Sequence, residues 1–477
     1  MPFRFGQMRD QVLLTHDGGE FAVIGPADFD ALIRGDLPPA SAVYLELESK
    51  TFLTHGPDSM TLRVRASQWR TKKAFLEAGP KLHIFVPTLR CNQSCGYCQA
   101  SRADSAASGV DMSQDVASRA IDIMLASPSK SVTMEFQGGE PLLAFDLVKW
   151  MTEETATRAV IANKSVNFVI CTNLTLLTNE HLELFRAHNI AVSTSIDGPA
   201  DLHNRNRAMR GTATHDVVVN NIRRCHEVLG EGSVSALMTT TVHSLGRARE
   251  IIDEYVALGM TSIFLRELNP YGYAAKSEKA LGYDTAAFIE FFRDAVNYII
   301  ELNRRGTTFS ENFTALLLRK ILTPFGVGFV DLQSPTGEGF GVVLYNHDGG
   351  VYASDESRML AEMGDETFRL GSVEATYQDL FFGDTMQLIA AAGCAEALPG
   401  CSDCVFVPYC GADPVRHYRT QGDLIGHRPS SSFCRKHKAI FEFIFDLLVN
   451  GSPETREILL SWINPGRRCM PRPSWLS

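Results

Sequence analysis

The stretch KLHIFVPTLRCNQSCGYC, residues 81–98, joins an apolar run to a short segment that carries three cysteines. The run KLHIFVPTL is short and rich in apolar residues, a composition typical of a buried β-strand. Cys91, Cys95 and Cys98 follow it directly, at spacings of four and three residues. The pattern therefore predicts a strand whose carboxyl end leads straight into a cysteine-bearing loop.

The same kind of apolar run recurs after residue 81 and alternates with longer stretches that are compatible with helices. Five further runs share this character: SVTMEFQGG, SVNFVICTN, IAVSTSID, SVSALMTTT and SIFLREL. Six strands that alternate with helices predict an α/β fold with a parallel sheet, right-handed crossovers and both faces buried. Periodicity leaves two arrangements open, an open partial barrel and a doubly wound sheet. In both, the carboxyl ends of the strands carry the chemistry.

Composition and charge narrow the class of protein. The 477 residues are 45% hydrophobic and 21% charged, as in an ordinary soluble globular protein. The formal net charge of −10 gives no indication of nucleic-acid binding. No apolar stretch reaches the about 20 residues that span a bilayer, and the N-terminus lacks the apolar core of a secretion signal. We therefore expect a cytoplasmic protein whose clustered cysteines bind metal rather than form disulfides.

Three thiolates on one short loop suit a cubic [4Fe–4S] cluster. They hold three irons and leave the fourth iron open to a ligand other than protein. A structural zinc site takes four protein ligands, and no fourth cysteine or histidine lies within this loop. A zinc site completed by a remote residue is the alternative. The position of the cysteines directly after the first strand of the alternation favours the cluster.

This CxxxCxxC loop after the first strand resembles that of the radical S-adenosylmethionine (SAM) superfamily. The resemblance implies a partial (βα)6 barrel and a cluster whose open iron is chelated by the amino and carboxylate groups of SAM. Tyr97, directly before the last cysteine, also matches the family. GGEP at 138–141 resembles the element that contacts the methionine amino group. Gly138 and Gly139 allow close backbone approach, and Glu140 offers an acceptor to the ammonium.

Polar residues at the ends of the third and fourth strands extend the resemblance. Thr172 and Asn173 stand where the family often has Thr-Asn-Gly, with Leu174 in place of the glycine. The segment SIDGP, followed by LHNRNR, resembles the peptide-modifying branch that includes anaerobic sulfatase maturases. This resemblance implies that Ser195 and Arg207 contact the ribose and the carboxylate of SAM. An ordinary polar role at a strand end is the alternative for each of them.

A second set of cysteines lies in the last quarter of the chain. The pattern C-x2-C-x5-C with a later cysteine resembles the SPASM extension of peptide-modifying radical SAM enzymes, which usually carries two auxiliary clusters. The resemblance implies one auxiliary [4Fe–4S] cluster on Cys401, Cys404, Cys410 and Cys434. We expect the other cluster to be lost, because Ser354 stands where a cysteine is expected. A four-cysteine zinc site with the same ligands is the alternative.

Four cysteines remain outside these two sets. Cys171 and Cys225 fall in a predicted strand and a predicted helix, where burial in the core is the better interpretation. Cys394 lies seven residues before Cys401, and it is either buried or a substitute ligand. Cys469 lies in a Pro- and Arg-rich tail and is unexplained.

The implied reaction is one-electron reduction of SAM to methionine and a 5′-deoxyadenosyl radical, which abstracts a hydrogen atom from the substrate. Sulfatase maturases use an Asp as proton acceptor near the end of their barrel. The comparable stretch here, FSENFTALLLRKIL, has no Asp, and Glu311 is the nearest acid. This departure disfavours simple oxidation of Ser or Cys to formylglycine, and Glu311 remains only a weak candidate for a catalytic role.

The resemblance also bears on the substrate and the partners. SPASM-type enzymes mostly modify ribosomally made peptides, and residues 81–435 are most similar to the radical SAM maturase B of the His-Xaa-Ser system. This similarity implies a His-Xaa-Ser repeat protein as substrate, a second radical SAM maturase, and an electron donor such as flavodoxin or ferredoxin. Neither a nucleic acid nor a membrane is expected as a partner. The alternatives are sulfatase-maturase-like oxidation, and action on a small molecule with structural zinc at the C-terminal cysteines.

The predicted organisation has four parts: a small N-terminal α+β unit at 1–77, the radical SAM core at 81–320, the SPASM-like Fe–S extension at 325–450 and a C-terminal tail at 451–477. The end of this tail, NPGRRCMPRPSWLS, is expected to be loose. The N-terminal unit begins with a hairpin over DQVLLTHDGGEFAVI and continues with a helix that ends at Gly35. This unit is either a simple cap on the core or a winged-helix-like domain that binds a leader peptide by strand addition.

Overall fold

The computed structural model describes residues 2–56 and 59–464. Its first part is a small antiparallel sheet followed by four helices: β1 (Arg4–Met8), β2 (Gln11–Thr15), β3 (Phe21–Ile24), α1 (Pro26–Arg34), α2 (Ala42–Ser49), α3 (Met60–Lys73) and α4 (Phe75–Ala78). The predicted hairpin is confirmed, because β2 pairs antiparallel with β3. The predicted helix end is also confirmed, since Gly35 caps α1 in a left-handed conformation with φ 77°.

The central part alternates strands and helices. Its strands are β4 (Leu82–Thr88), β5 (Arg90–Cys91), β6 (Ala103–Asp104), β7 (Ser131–Gly138), β8 (Ser165–Cys171), β9 (Ala191–Ser195), β10 (Val234–Thr239), β11 (Ser262–Arg266) and β12 (Ser310–Glu311). Its helices are α5 (Gln114–Ala126), α6 (Phe145–Ile161), α7 (Asn179–His188), α8 (Ala200–Asn206), α9 (Thr214–Leu229), α10 (Ala248–Ala257), α11 (Gly272–Leu281), α12 (Thr285–Arg304) and α13 (Asn312–Leu322). All six strands predicted from the apolar runs are present, as β4 and β7–β11.

The order of the strands distinguishes the two arrangements that periodicity left open. Strands β4 and β7–β11 pair in parallel, and each lies beside the next along the chain. A doubly wound sheet would reverse this order at a switch point. The unreversed order therefore identifies a partial barrel, with all strand carboxyl ends along one rim.

The C-terminal part adds strands to the same sheet. Its elements are β13 (Val342–Tyr345), β14 (Gly350–Tyr352), α14 (Asp355–Ala361), β15 (Arg369–Ser372), α15 (Tyr377–Phe382), α16 (Asp384–Gly393), α17 (Pro414–Gln421), α18 (Ser432–Asn450) and α19 (Pro453–Ile463). Strand β13 pairs in parallel with β4, and β14 and β15 continue antiparallel to give a ten-stranded sheet. This extension was not predicted, because it joins residues about 260 positions apart.

The N-terminal unit packs against the C-terminal part. The hydroxyl of Thr15 donates to the carbonyl of Val405 at 2.6 Å, and the Tyr409 hydroxyl donates to the carbonyl of Gly19 at 3.2 Å. The rings of Phe21 and Phe445 meet edge to face with centroids 5.2 Å apart. These contacts seat the small sheet beside the segment that carries the second cysteine set.

Residues 453–463, which fall within the part assigned to the C-terminal tail, form α19. Apolar residues hold this helix in place, with Leu459 fully buried and Trp462 nearly so. Arg304 on α12 also donates to the Thr455 hydroxyl at 2.7 Å. Cys469 lies outside the described residues. Among the helices that the structure describes, none is both long and apolar enough to cross a membrane.

Candidate functional site

The loop of Cys91, Cys95 and Cys98 is folded back on itself directly after β4. Strand β5, which ends at Cys91, pairs in parallel with β6. Inside the loop, the backbone N–H of Cys98 donates to the Cys95 carbonyl at 3.2 Å, and Ser94 N–H donates to the carbonyl of Ala208 at 2.7 Å. The short ladder and the turn bring the three cysteines onto one compact segment at the rim.

The surroundings of the three thiols suit metal binding. Burial raises the pKa of Cys91 to about 11 and that of Cys95 to about 12, because a thiolate there lacks solvent. Each thiol is also close enough to the others for a second thiolate to raise these pKa values further. A buried thiolate without a counter-charge is unfavourable. Bound iron displaces the proton of the thiol and neutralises the charge of the resulting thiolate. The residues present therefore fit an iron–sulfur cluster.

The two glycines of GGEP approach the backbone of the cysteine loop. A Cβ atom on Gly139 would lie 2.1 Å from the carbonyl oxygen of Arg90, and one on Gly138 would lie 2.3 Å from that of Thr88. Gly138 also has φ +126°, a conformation that favours glycine. The N–H groups of Gly139 and Glu140 donate to the carbonyls of Thr88 and Arg90 at 2.9 and 2.7 Å. The glycines thus let the end of β7 bind the loop backbone.

Glu140 connects the end of β7 to the end of β8. Its buried carboxylate accepts hydrogen bonds from Leu142 N–H at 3.1 Å, from the Thr172 hydroxyl at 2.7 Å and from Asn173 N–H at 2.7 Å. Burial raises the pKa of Glu140 to about 7, although these three bonds favour its charged form. The structure therefore gives Glu140 a positioning role at the rim. Its contact with the SAM ammonium stays a prediction.

The segment after β8 also holds the cysteine loop. The side-chain amide of Asn173 donates to the side-chain oxygen of Asn92 at 2.9 Å, and Asn92 donates in turn to the Thr175 hydroxyl at 2.8 Å. Leu174, which stands in place of a glycine, has φ +57° in the left-handed region. The departure from Thr-Asn-Gly therefore changes the residue while the backbone keeps a conformation that glycine favours.

Tyr97, Asp197 and Arg207 form a buried network beneath the cysteine loop. The Tyr97 hydroxyl donates to one carboxylate oxygen of Asp197 at 2.6 Å, and Arg207 Nε donates to the other at 3.3 Å. The Arg207 guanidinium also lies 5.3 Å from the centre of the Tyr97 ring. The network links the loop to the end of β9, and the charge of Arg207 offsets part of the burial effect on the pKa of Cys95.

Asp197 is the central residue of this network, and no role for it was predicted from the sequence. It is fully buried, and one of its oxygens also accepts from the N–H of Thr239 at 3.3 Å. The available signal was its position two residues after Ser195, at a strand end. Ser195 itself is half-buried at the end of β9, opposite Leu237 of β10. The SAM contacts of Ser195 and Arg207 stay predictions.

The second cysteine set comes together around the segment 398–410 and the first turn of α18. Cys404 N–H donates to the Cys401 carbonyl at 2.9 Å, and Cys434 N–H donates to the Ser431 hydroxyl at 3.2 Å. Burial raises the pKa of Cys401 and Cys434, and it raises that of Cys410 to about 12. In each case neighbouring thiolates of the same set contribute, so the four thiols are mutual neighbours.

Two other residues of the C-terminal part have structural roles. Cys394 is half-buried, and its thiol donates to the carboxylate of Glu396 at 3.7 Å, apart from the four thiols. Ser354, which stands where a cysteine was expected, caps the N-terminus of α14 in a reciprocal arrangement with Ser357. A serine there supplies a cap hydrogen bond in place of a metal ligand.

Within the part of the chain that the structure describes, no three His, Cys, Asp or Glu side chains converge as the ligands of a single metal ion do. Thiolates that each bind a different iron of a cluster lie farther apart than thiolates that share one zinc ion. The fit of the two cysteine sets therefore rests on their loops, their burial and their mutual electrostatic contact.

Glu311 is fully buried at the N-terminus of α13. Its buried carboxylate accepts from the N–H groups of Leu265, Phe313 and Thr314 and from the Thr314 hydroxyl, at 2.6–3.3 Å. It thereby caps α13 and ties it to β11. Both oxygens of Glu311 are used in capping, which supports a structural role, and a catalytic role for Glu311 stays a prediction.

Residues 85–261 match the model of the radical SAM superfamily. The chain thus contains a radical SAM domain, and the cysteine loop, GGEP and the Asp197 network all lie within it. The predicted superfamily is confirmed for residues 85–261. The same match confirms the predicted use of a [4Fe–4S] cluster and SAM, which is the cofactor set of the superfamily.

Two curated relatives illustrate the range of similarity. A protein of Methanothermobacter thermautotrophicus, described as uncharacterized, is 29% identical over 184 residues, which are 37% of this chain and 64% of the relative. A serine-type anaerobic sulfatase-maturating enzyme of Klebsiella aerogenes is 26% identical over 211 residues, 42% of this chain and 50% of that enzyme. The chain thus spans about half to two thirds of these relatives.

Solved structures extend the likeness beyond residues 85–261. Native anSMEcpe with bound AdoMet and Kp18Cys peptide has a TM-score of 0.65 at 18% identity, over 78% of this chain and 99% of that one. SuiB of Streptococcus suis bound to precursor peptide SuiA has a TM-score of 0.53 at 15% identity, over 91% of this chain and 98% of that one. At this identity the likeness is one of fold, and it confirms the predicted α/β fold with a parallel-sheet core.

Proposed function

We propose that the chain is a radical SAM enzyme that modifies a ribosomally made peptide or protein. The observation that carries this proposal is the loop of three neighbouring, half-buried cysteines, which follows β4 directly and is bound by backbone hydrogen bonds to the GGEP end of β7. When bound there, a [4Fe–4S] cluster supplies the electron that cleaves SAM to methionine and a 5′-deoxyadenosyl radical.

The residues of the chain hold the reactants and exclude water. Cys91, Cys95 and Cys98 bind the cluster, and Glu140 accepts from the SAM ammonium, which favours its charged form. Arg207 holds Asp197 and Tyr97 together beneath the loop, so that the three thiolates keep one arrangement. This fixed arrangement brings the C–H bond of the substrate close to the 5′ carbon of the deoxyadenosyl radical.

Cys401, Cys404, Cys410 and Cys434 hold one auxiliary [4Fe–4S] cluster in this proposal. Four thiolates leave no iron open, so the cluster serves electron transfer or structure. The burial and the mutual proximity of the four thiols support a metal site there. A zinc ion on the same four ligands is the second candidate, and metal analysis distinguishes the two.

Iron and sulfide counts after anaerobic reconstitution test both sites. We expect about eight irons in the parent and about four in a variant with Cys91, Cys95 and Cys98 changed to alanine. The variant should also lose the dithionite-dependent formation of 5′-deoxyadenosine from SAM. A parent with about four irons, all lost in the variant, would refute the auxiliary cluster. SAM cleavage that survives in the variant would refute the catalytic assignment.

The specific substrate proposed is a His-Xaa-Ser repeat protein, modified in the cytoplasm with a second radical SAM maturase and an electron donor such as flavodoxin or ferredoxin. The solved structures of anSMEcpe and SuiB with bound peptides support a peptide substrate. SAM cleavage should be stimulated by a synthetic His-Xaa-Ser repeat peptide and not by the same peptide with each histidine changed to glutamine. Equal stimulation by a serine peptide from a sulfatase would favour the sulfatase-maturase alternative, which the Klebsiella aerogenes relative supports.

The domain boundaries proposed from the sequence assign residues 1–77 a separate role. In one interpretation the unit binds a leader peptide along a free strand edge, since β1 and β3 are the two edges of its sheet. In the other it is a cap, which its contacts with Val405 and Tyr409 support. Unchanged peptide affinity after deletion of 1–77 from a protein that still folds would exclude the leader-binding interpretation.

A further inference from the structure

A cavity of about 280 Å³ lies inside the barrel, between the sheet and the C-terminal part. Residues of β4, β7, β10 and β11 line one side, and residues of α14, α17 and α18 line the other. Phe264, Phe313 and Phe329 supply part of an apolar wall. The cavity therefore has the enclosed, partly apolar character of a site for a small group.

Carboxyl groups outnumber basic groups in the lining of this cavity. Six carboxyl side chains line it: Glu135, Glu267, Asp331, Asp355, Glu356 and Asp413. The basic side chains in the lining are Arg266, Arg416 and Lys436. An excess of three carboxyl groups remains, so the cavity lacks enough positive charge to balance its walls.

The basic groups are already engaged by two of the acids. Arg416 contacts Glu267 at 2.6 Å and Lys436 contacts the same carboxylate at 2.5 Å. Burial opposes the charge of Glu267, but these two cations outweigh it and hold its pKa at about 2. Arg266 lies 3.6 Å from Glu356. The positive charge of the lining is thus directed toward Glu267 and Glu356.

Two of the remaining carboxyl groups, Asp331 and Asp413, resist ionisation because they are buried. Burial raises the pKa of Asp413 to about 7, and it raises the pKa of Asp331 above its ordinary value. The charge of Asp331 raises the pKa of Asp413 further, and both charges raise the pKa of Glu338. Two acids that share a dry site are stabilised by a cation placed between them, because the cation lowers the cost of both charges.

A buried hydroxyl on the same wall lacks a partner. Tyr271 lines the cavity and is 1% exposed. Among the described residues, no group forms a hydrogen bond with its hydroxyl oxygen, and the same holds for Nε of Arg416. The charges of Asp413 and Glu356 both act on the Tyr271 hydroxyl. An unsatisfied polar group in a dry cavity is a group that a ligand can satisfy.

The cavity is distinct from the residues assigned to SAM. Its described lining includes none of the three loop cysteines, and neither Glu140 nor Arg207. It does include Gln137, which directly precedes the GGEP segment at the end of β7. A group bound in the cavity would therefore lie beside the SAM site without occupying it.

We propose that this cavity binds a cationic side chain of the substrate, a guanidinium, an ammonium or a protonated imidazole, between Asp331 and Asp413. The ligand's N–H groups donate to the two carboxylates, and the Tyr271 hydroxyl supplies a further acceptor. This inference rests on the proposed function, and it adds to it the chemical class of the side chain that is held beside SAM.

Calorimetric titration of the cluster-loaded, SAM-bound protein tests this inference. The cationic probes are N-acetyl-arginine amide and, at pH 6, N-acetyl-histidine amide, and the neutral probe is N-acetyl-citrulline amide. Citrulline has the shape of arginine without its charge. At least one cationic probe should bind about tenfold more tightly than citrulline. Equal binding of all three probes, or no binding, would overturn the proposal.

Three variants assign the binding to the cavity. Asp331→Asn should reduce the affinity for the cationic probe about tenfold, and Tyr271→Phe should reduce it a few-fold without loss of thermal stability. Asp294→Asn removes the same charge from the exposed surface of α12, and it should leave probe affinity unchanged. An equal loss in the Asp331 and Asp294 variants would overturn the proposal.

SAM is itself cationic, so the cavity could bind SAM instead of a substrate side chain. The affinity of the variants for SAM distinguishes these two ligands. If Asp331→Asn weakens SAM binding as much as probe binding, the cavity serves SAM and the proposal fails. The formation of 5′-deoxyadenosine from SAM, measured without any probe, tests the proposed function separately. A protein that binds the cationic probe but never cleaves SAM would keep the cavity assignment and lose the proposed function.

Discussion

Replacement of Gly139 by alanine is expected to displace the cysteine loop from the end of β7. The new Cβ would lie 2.1 Å from the Arg90 carbonyl oxygen and 2.4 Å from that of Leu89. Both atoms belong to the backbone, so neither can rotate aside as a side chain would. Gly139 is not among the residues with positive φ, so the effect of the substitution is steric. The loop must therefore move away from the strand.

The cost of this movement has two parts. Overpacking of a tight contact costs about 1–3 kcal/mol. Displacement also weakens the backbone hydrogen bonds from Gly139 to Thr88 and from Glu140 to Arg90, which have lengths of 2.9 and 2.7 Å. Each such bond contributes about 1 kcal/mol. The free energy of unfolding should therefore fall by about 3–5 kcal/mol.

Urea unfolding of the cluster-free protein and iron counts after reconstitution measure this effect together. Gly326→Ala is the matched control, because its nearest neighbour would be 3.9 Å from the new Cβ. The Gly139 variant should unfold at lower urea and lose about half of its iron, the share of one four-iron cluster. If the two variants have the same unfolding midpoint and the same iron content, the role assigned to the glycines is refuted.

The remaining predictions concern buried charge. Asp197→Ala leaves Arg207 buried without its partner, and the free energy of unfolding should fall by about 3–5 kcal/mol. A smaller decrease in the free energy of unfolding than that of the exposed control Asp294→Ala would contradict the network. Glu311→Gln replaces one acceptor oxygen of the cap and should therefore lower thermal stability, while SAM cleavage persists. Loss of SAM cleavage in a stable Glu311→Gln variant would instead support a catalytic role for Glu311. Burial lowers the pKa of His83 to about 3. The unfolded chain therefore binds a proton between about pH 6.5 and pH 3 that the folded chain does not, so stability should fall by about 2 kcal/mol from pH 7 to pH 5; a His83→Asn variant with the same decline would refute this assignment.

The strand alternation and the cysteine loop were predictable because they are local. An apolar run of seven to nine residues buries itself as a strand wherever a parallel sheet forms, and the residues that follow it must lie at the rim. The spacing of Cys91, Cys95 and Cys98 belongs to one loop, so no distant contact is needed to bring these thiols together. The left-handed backbone at Leu174 also follows from a local turn.

Contacts between distant parts of the chain could not be predicted in this way. Asp197 joins Tyr97, which lies 100 residues earlier, and Glu140 accepts from Thr172 on the next strand. The sequence indicated polar residues at these strand ends, but it could not indicate which of them would pair. Pairing depends on which strand ends lie side by side, and the strand order β11-β10-β9-β8-β7-β4 determines that.

By itself the sequence determined the six strands and the loop of three thiols, because each is formed by neighbouring residues. It also indicated the second set of cysteines through the spacing of Cys401, Cys404 and Cys410. Only the tertiary structure decided the partial barrel, the addition of β13 beside β4 and the capping role of Glu311. It also decided the cavity that Asp331 and Asp413 line from separate segments. Burial and desolvation give these groups their properties, and both arise only when distant segments pack together.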